Sequence, residues 1–249
     1  MVSSTREETS TLQPVSLPAG TVTFLFTDIE GSTRLLHKLG EDYGRLVSQH
    51  RRVMRETATE AGGSEIDVQG DAFFFGFTRA RDAAAGAIET QRRLVAEEWP
   101  NGVEVKVRMG VHTGEPTLGE EGYLGLDVVR GARIAAAAHG GQILVSETTR
   151  ALLPTPLPDG GEIVDLGQHS LKDLERPERL FQLTAPGLGS KFPPLRLAEP
   201  KGGFENRLER RINAFVDNKL AGLFDNMEVQ ELESGGLMLR RRKKDDRAR

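Results

Sequence analysis

The sequence contains no cysteine among its 249 residues, which excludes disulfides, thiolate metal sites and cysteine nucleophiles. No apolar run approaches the roughly 18 residues that a membrane-spanning helix requires. The first residues, Met1–Glu8, lack the apolar core of a signal peptide. The formal net charge is -4, so charge gives no reason to expect binding to nucleic acid. We therefore expect a cytoplasmic protein without a nucleic-acid partner.

The residues that are present have the composition of a globular protein, with 37% hydrophobic and 28% charged residues. This length suffices for one substantial domain with appendages. We divide the chain into a polar leader at 1–18, expected to be disordered, a domain at 19–186, a Gly- and Pro-rich linker at 187–203, and a tail at 204–249. In the tail, apolar residues at helical spacing predict an amphipathic helix, which a basic cluster follows.

The stretch Thr21–Thr33 is the first part of the sequence that indicates a binding site. It begins with a β-branched and aromatic run that predicts a buried strand, and the run ends in Asp28. Ser32 or Thr33 then provides a cap for a helix that starts at Arg34. A carboxylate at such a strand end can hold a divalent cation, and the amides of the turn can hold phosphate oxygens. The alternative is that Asp28 only caps the turn.

Hydrophobic periodicity predicts an α+β protein. The order of elements indicates a ferredoxin-like βαββαβ core with a C-terminal αβαββ extension. One strand, Val103–Val111, alternates valines with charged residues, which predicts that Arg108 lies on a solvent-exposed face. The other predicted elements are helices at Arg34–Leu39, from Tyr43 to the Gly62-Gly63 pair, at Ala83–Val95, at Leu126–His139 and up to Leu153, strands at Ser64–Gln69, Ala72–Phe77, Gln142–Val145, Ile163–His169 and Leu180–Leu183, and a Gly-rich loop at Thr113–Tyr123.

A second aspartate, Asp71, lies in the Gly-Asp turn between the strands Ser64–Gln69 and Ala72–Phe77. In a βαββαβ core this hairpin lies beside the strand that ends in Asp28. The two carboxylates can therefore converge on one or two magnesium ions, which polarise a phosphoryl group and activate a hydroxyl. The alternative is that Asp71 is simply a turn residue.

Four separated motifs resemble those of the class III adenylyl and guanylyl cyclase catalytic domain, in the same order. They are Phe26–Thr33, Gln69–Phe73, Arg108–Gly114, and Ala132–Ile134 with His139–Ser146. The resemblance covers about residues 20–186. It implies the nucleotide cyclase fold, a nucleoside triphosphate substrate, and a homodimer with two composite active sites at the interface. It also implies a role in cyclic-nucleotide signalling.

The resemblance also implies the roles of individual residues. Asp28, Ile29 and Asp71 would hold two Mg²⁺ or Mn²⁺ ions. The turn formed by Ile29, Glu30, Gly31, Ser32 and Thr33 would bind the β- and γ-phosphates. Arg133 of the partner subunit would neutralise charge on the transferred phosphate, a large electrostatic contribution to catalysis. The implied reaction is attack of the ribose 3′-hydroxyl on the α-phosphate, which gives a 3′,5′-cyclic nucleotide and pyrophosphate.

Three positions that would face the base and ribose depart from the family pattern. Asp67 stands where adenylyl cyclases have lysine and guanylyl cyclases have glutamate, and its carboxylate, which only accepts hydrogen bonds, suits guanine better than adenine. Gly122 aligns with the second base-reading position. Val129 replaces the ribose-orienting asparagine, so we expect turnover slowed by a factor on the order of 10². The choice between ATP and GTP stays open.

Two alternatives to an active cyclase follow from these departures and from the fold. One is a degenerate domain that binds nucleotide or regulates a partner, and the other is a related nucleotidyl transferase such as a dinucleotide cyclase. For the tail we favour packing of its helix on the domain or on the second subunit. Contact of the basic cluster Arg240–Lys244 with an anionic membrane surface is the alternative.

Overall fold

The computed structural model describes residues 17–119, 122–197, 227–231 and 237–241. The helices are α1 Ser32–Leu39, α2 Tyr43–Glu60, α3 Ala80–Ala96, α4 Leu126–Ala137 and α5 Glu147–Leu152. The strands are β1 Val22–Ile29, β2 Ser64–Gln69, β3 Ala72–Phe77, β4 Val107–Gly114, β5 Thr117–Gly119, β6 Gly122–Leu124, β7 Ile143–Ser146, β8 Glu162–His169, β9 Glu178–Thr184, β10 Met227–Glu231 and β11 Leu237–Arg241.

Seven strands form one sheet in the order β2-β3-β1-β4-β7-β9-β8. Neighbouring strands are antiparallel except β4 and β7, which are parallel. The predicted ferredoxin-like core is therefore confirmed, with α4, β7, α5, β8 and β9 as the C-terminal extension. None of the described helices is long and apolar enough to cross a bilayer.

The two faces of the sheet have separate apolar cores. Side chains of α2 and α3 pack on the face that carries Phe73 and Phe75. Helix α4 packs on the opposite face, against an aromatic cluster of Phe24, Phe26, Phe74 and Tyr123. The rings of Phe26 and Phe74 are stacked with centroids 4.2 Å apart.

A glycine in β4 sets how closely α4 approaches the sheet. A Cβ atom on Gly110 would lie 2.4 Å from the backbone nitrogen of Ala135. Any side chain at that position would therefore push α4 away from the sheet. This close approach explains why β4 has a glycine at position 110.

The strand predicted at Val103–Val111 begins four residues later, at Val107. The last residue of β1, Ile29, pairs with Val107. Residues 103–106 therefore have no residue of β1 to pair with. From Val107 onward both faces of the sheet are covered. The prediction that Arg108 faces solvent is therefore wrong, and its side chain is buried.

Other predictions are refined or fall outside the described residues. The Thr113–Tyr123 loop contains the short hairpin β5–β6. Most of the leader and the predicted helical residues 204–224 of the tail lie outside the described residues. Farther along the tail, β10 and β11 pair as an antiparallel hairpin that the sequence pattern did not predict.

Candidate functional site

Asp28 and Asp71 are buried carboxylates at neighbouring strand ends. Asp28 is 3% and Asp71 is 1% exposed. Strands β1 and β3 are antiparallel with Thr27 opposite Phe73, and continuing this register places Asp71 across from the last residues of β1. The structure thus brings to the same edge of the sheet two residues that the sequence separates by a helical hairpin and a strand.

Arg108 is a site residue that the sequence interpretation missed. It is the direct cross-strand partner of Asp28, and its Nη2 donates a short hydrogen bond to Asp28 Oδ2. Both side chains are buried, so the guanidinium compensates a carboxylate that would otherwise be costly to bury. This pair could have been predicted only from the register of β1 and β4, because residues directly opposite each other on adjacent strands lie on the same face of the sheet.

The turn after β1 leads into helix α1 through Gly31. This glycine has φ 68° and is the N-cap of α1, which begins at Ser32. The predicted cap by Ser32 or Thr33 is therefore wrong, because the cap position falls one residue earlier on a glycine that tolerates the left-handed conformation. No side chain caps the helix. Its first amides can consequently donate to an anion at the positive end of the helix dipole.

The donor set at this end of the sheet fits a hard divalent cation. Asp28 and Asp71 would supply carboxylate oxygens, and Ile29 would supply a backbone carbonyl. No group of three or more His, Cys, Asp or Glu residues with metal-binding geometry occurs in the described part of the chain. Mg²⁺ is commonly held by one or two carboxylates together with substrate phosphates, so two aspartates suffice for Mg²⁺ or Mn²⁺. A bound ion would compete with Arg108 for Asp28.

Helix α2 holds the turn that carries Asp71. The side chain of Arg51 donates from Nε and Nη2 to the carbonyl oxygen of Gly70 at 3.1 and 2.7 Å. Gly70 has φ 66°, so a positive φ and a charged donor together define the turn. Sequence reasoning had no signal for this contact, because Arg51 is one of several arginines along a helix with an exposed polar face.

His50, the residue before Arg51, is buried beside the same turn. Its ring lies 5.7 Å from the ring of Phe73, and neither ring nitrogen has a hydrogen-bond partner among the described residues. Burial lowers the pKa of His50 to about 4; the negative charge of Asp71 opposes this shift and the positive charge of Arg51 adds to it. His50 is therefore neutral at pH 7.

This lowered pKa predicts that the fold loses stability in mild acid. Unfolded His50 binds a proton below its ordinary pKa of 6.5, whereas folded His50 resists protonation until the pH approaches about 4. The free energy of unfolding should therefore fall by about 2 kcal/mol from this residue between pH 7 and pH 5. Denaturant unfolding of wild type and His50→Gln at both pH values measures the difference. Equal pH dependence in the two proteins would contradict the prediction.

Arg133 lies on α4 and is bound within its own chain. Its side chain is buried, and Nη2 donates a short hydrogen bond to Asp173. Arg130, on the same helix, donates from Nε to Glu178 at 2.6 Å and from Nη1 to Asp127. The helix thus presents two arginines that are each neutralised by carboxylates of the same chain.

The three predicted base- and ribose-facing residues border the aromatic cluster of Phe24, Phe26, Phe74 and Tyr123. Asp67 is the cross-strand partner of Phe74 at a β-bulge, and its oxygens accept hydrogen bonds from Val68 N at 2.8 Å and Gln69 Nε2 at 3.2 Å. Gly122 adjoins Tyr123 and pairs with Gly119. Val129 is buried within the cluster. Their contact with a nucleotide stays a prediction.

His112, Ser146 and the half-buried Asp127 have the residue types of a hydrolase triad. His112 Nδ1 lies 2.9 Å from Ser146 Oγ, and Nε2 lies 3.5 Å from Asp127 Oδ1. Ser146, however, is buried and caps helix α5 by accepting from Thr149 N. The hydrogen bond with His112 is the main cause that lowers the pKa of Asp127. This network holds β4, α4 and α5 together and offers no accessible nucleophile.

Comparison with known proteins identifies the family. The family profile described as the adenylate and guanylate cyclase catalytic domain matches residues 15–184. The chain belongs to this family. An uncharacterized protein from Mycobacterium tuberculosis is 41% identical over 184 residues, which cover 73% of this chain and 62% of that relative. This chain thus spans less than two thirds of the length of that relative.

Two proteins named as adenylate cyclases are also similar to this chain. An adenylate cyclase from Podospora anserina is 28% identical over 233 residues, which cover 72% of this chain and 11% of that protein. A solved structure of an adenylate cyclase from Trypanosoma brucei in its monomeric state has a TM-score of 0.62 and 25% identity, covering 77% of this chain and 99% of that chain. The resemblance to class III cyclases, drawn from four motifs, is thereby confirmed.

Proposed function

We propose that this chain is a homodimeric nucleotide cyclase that converts ATP or GTP into a 3′,5′-cyclic nucleotide and pyrophosphate. One observation carries the proposal: the buried carboxylates Asp28 and Asp71 lie at adjacent strand ends beside the uncapped N-terminus of α1. This combination offers ligands for a divalent cation next to backbone donors for phosphate, which is what a metal–triphosphate substrate requires.

In the proposed reaction the ribose 3′-oxygen loses its proton to solvent and bonds to the α-phosphorus, while the bond from that phosphorus to the bridging oxygen breaks and pyrophosphate leaves. Within the turn Ile29–Thr33, the amides of Gly31, Ser32 and Thr33 bind the β- and γ-phosphates, because the Glu30 N–H already donates to the carbonyl of Lys106. Asp28, Asp71 and Ile29 would hold Mg²⁺ or Mn²⁺, and the bound ion would neutralise charge and lower the pKa of the attacking hydroxyl. Positioning and electrostatics then account for most of the rate.

The remaining groups of each site come from the partner subunit in this proposal. Arg133 stabilises the charge on the transferred phosphate, and Asp67, Gly122 and Val129 face the base and ribose. In the described chain Arg133 contacts Asp173, so this role requires the guanidinium to exchange Asp173 for the phosphate when the composite site assembles. We propose that residues 19–186 form the catalytic unit and that this unit acts in cyclic-nucleotide signalling.

A product assay tests the proposed function directly. Purified protein is incubated with Mn²⁺ or Mg²⁺ and each of the four ribonucleoside triphosphates, and products are identified by mass spectrometry. We expect a cyclic purine monophosphate and pyrophosphate in equal amounts, with GTP preferred if Asp67 reads the base. Absence of every cyclic monophosphate, with wild type indistinguishable from Asp71→Asn, would reject the proposal.

A nucleotide-binding regulatory domain is the second candidate. Two observations favour it: Val129 is packed in the apolar cluster, and both oxygens of Asp67 already accept hydrogen bonds from the same chain. A protein that binds a metal–nucleotide by calorimetry but forms no cyclic product would assign this function instead.

A further inference from the structure

The segment that follows the family domain folds back onto it. The family match ends at residue 184, and residues 187–203 were predicted as a linker. The carbonyl of Ser190 nevertheless accepts from Gln182 Nε2 at 2.8 Å, and the carbonyl of Pro194 lies 2.9 Å from His139 Nε2. The backbone nitrogen of Arg196 donates to the carbonyl of Ala137 at 3.0 Å, at the end of α4. These bonds fix the course of the segment as far as Arg196.

This course brings Arg196 to the turn after β1. Its Nη1 donates to Glu30 Oε1 at 2.7 Å, and the two side chains are 22% and 24% exposed. Glu30 is also fixed through its backbone, because its N–H donates to the carbonyl of Lys106 at 2.8 Å. On its other side a Cβ atom on Gly140 would lie 2.9 Å from Glu30 Oε2. The Glu30 carboxylate is therefore held in one place, with Arg196 as its counter-ion.

The negative charge of Glu30 affects substrate binding in this proposal, because the residue lies in the phosphate-binding turn. Glu30 is one of the five residues of the turn that, under the proposed function, binds the triphosphate. A carboxylate in that turn repels the phosphate oxygens, and the repulsion is strong where water is partly excluded. A neighbouring guanidinium cancels this repulsion and restrains the turn through a charge-assisted hydrogen bond.

We infer that Arg196 is a positioning residue of the triphosphate site: it neutralises Glu30 and holds the phosphate-binding turn from a segment outside the family domain. The inference rests on the proposed function. It makes the affinity for nucleotide depend on residues that follow the catalytic domain. It also links the turn of one active site to the end of α4, the helix that carries Arg133.

Nucleotide binding and steady-state kinetics of the full chain test the inference. In Arg196→Ala we expect the KM for the nucleoside triphosphate, and its Kd with Ca²⁺ as a cation for binding without turnover, to rise about fivefold while kcat changes less than about twofold. Arg196→Lys should restore most of the affinity, because it keeps the charge. The double variant Glu30→Gln/Arg196→Ala should also recover, because the repelling carboxylate is gone.

Lys191→Ala is the matched control, since Lys191 is an exposed cation of the same segment and should leave KM and Kd unchanged. Thermal unfolding of each variant shows whether the fold persists. An Arg196→Ala Kd equal to that of Lys191→Ala, or a double variant no better than the single one, would overturn the inference while wild type still binds nucleotide. Failure of the wild type itself to bind any triphosphate would instead reject the proposed function.

Discussion

Asp71→Asn is expected to lower kcat by about 10³-fold or more, because the amide retains the shape of the side chain but loses the charge that binds the divalent cation. The variant should stay folded, since the turn is held by Arg51 through the carbonyl of Gly70. Product formation at increasing Mn²⁺ concentration, together with a thermal unfolding curve, measures both expectations. A folded variant with a tenth of wild-type activity would remove Asp71 from the metal site.

Asp28 needs a more careful substitution than Asp71. An alanine at Asp28 leaves the buried guanidinium of Arg108 without this counter-ion, and breaking a buried pair from one side costs about 3–5 kcal/mol. Loss of activity in Asp28→Ala would therefore report unfolding as well as chemistry. Asp28→Asn, and the double variant Asp28→Asn/Arg108→Met, separate the two effects, because the double variant leaves neither charge buried.

Arg133→Ala is expected to lower kcat by about 10²- to 10³-fold, since it removes the positive charge proposed to face the transferred phosphate. If Arg133 acts on the site of its partner, mixing Arg133→Ala with the inactive Asp71→Asn restores activity. Half of randomly formed dimers would be mixed and each would have one intact site, so about a quarter of wild-type activity should return. The measurement is the specific activity of the two variants mixed in equal amounts after dissociation and reassociation.

The matched control for this complementation is a mixture of Asp71→Asn with Asp28→Asn. Both substitutions damage the same half of the composite site, so every dimer in that mixture lacks an intact site and no activity should return. Differently tagged subunits, recovered together by affinity capture, establish that mixed dimers formed. Mixed dimers of Arg133→Ala and Asp71→Asn without recovered activity would contradict a composite site.

Arginines dominate the support of the candidate site. Arg108 pairs with Asp28, Arg51 binds the turn before Asp71, and Arg196 pairs with Glu30. A site that brings carboxylates together and binds a polyanion contains repulsion between negative charges, and planar multidentate guanidinium groups offset this repulsion. These three arginines therefore hold Asp28, the turn before Asp71 and Glu30 in place.

Element types and order were predictable because local patterns determine them. The hairpin strands Ser64–Gln69 and Ala72–Phe77 coincide with β2 and β3, because a Gly-Asp turn between two β-rich runs admits few other conformations. The error at Val103–Val111 has the opposite cause. Alternating residues predict an extended segment there, whereas membership of the sheet depends on where the neighbouring strand β1 ends.

The sequence by itself determined the family, the order of the main strands and helices at 19–186, and the location of Asp28 and Asp71 at the ends of strands, because each follows from contiguous residues or from motifs in a fixed order. Only the tertiary structure decided how these carboxylates are held. Arg108 lies 80 residues from Asp28, Arg51 lies 19 residues from Gly70, and Arg196 lies 166 residues from Glu30. Such pairs depend on strand register and on the path of the returning chain, and no local pattern distinguishes these arginines from the many others that face solvent.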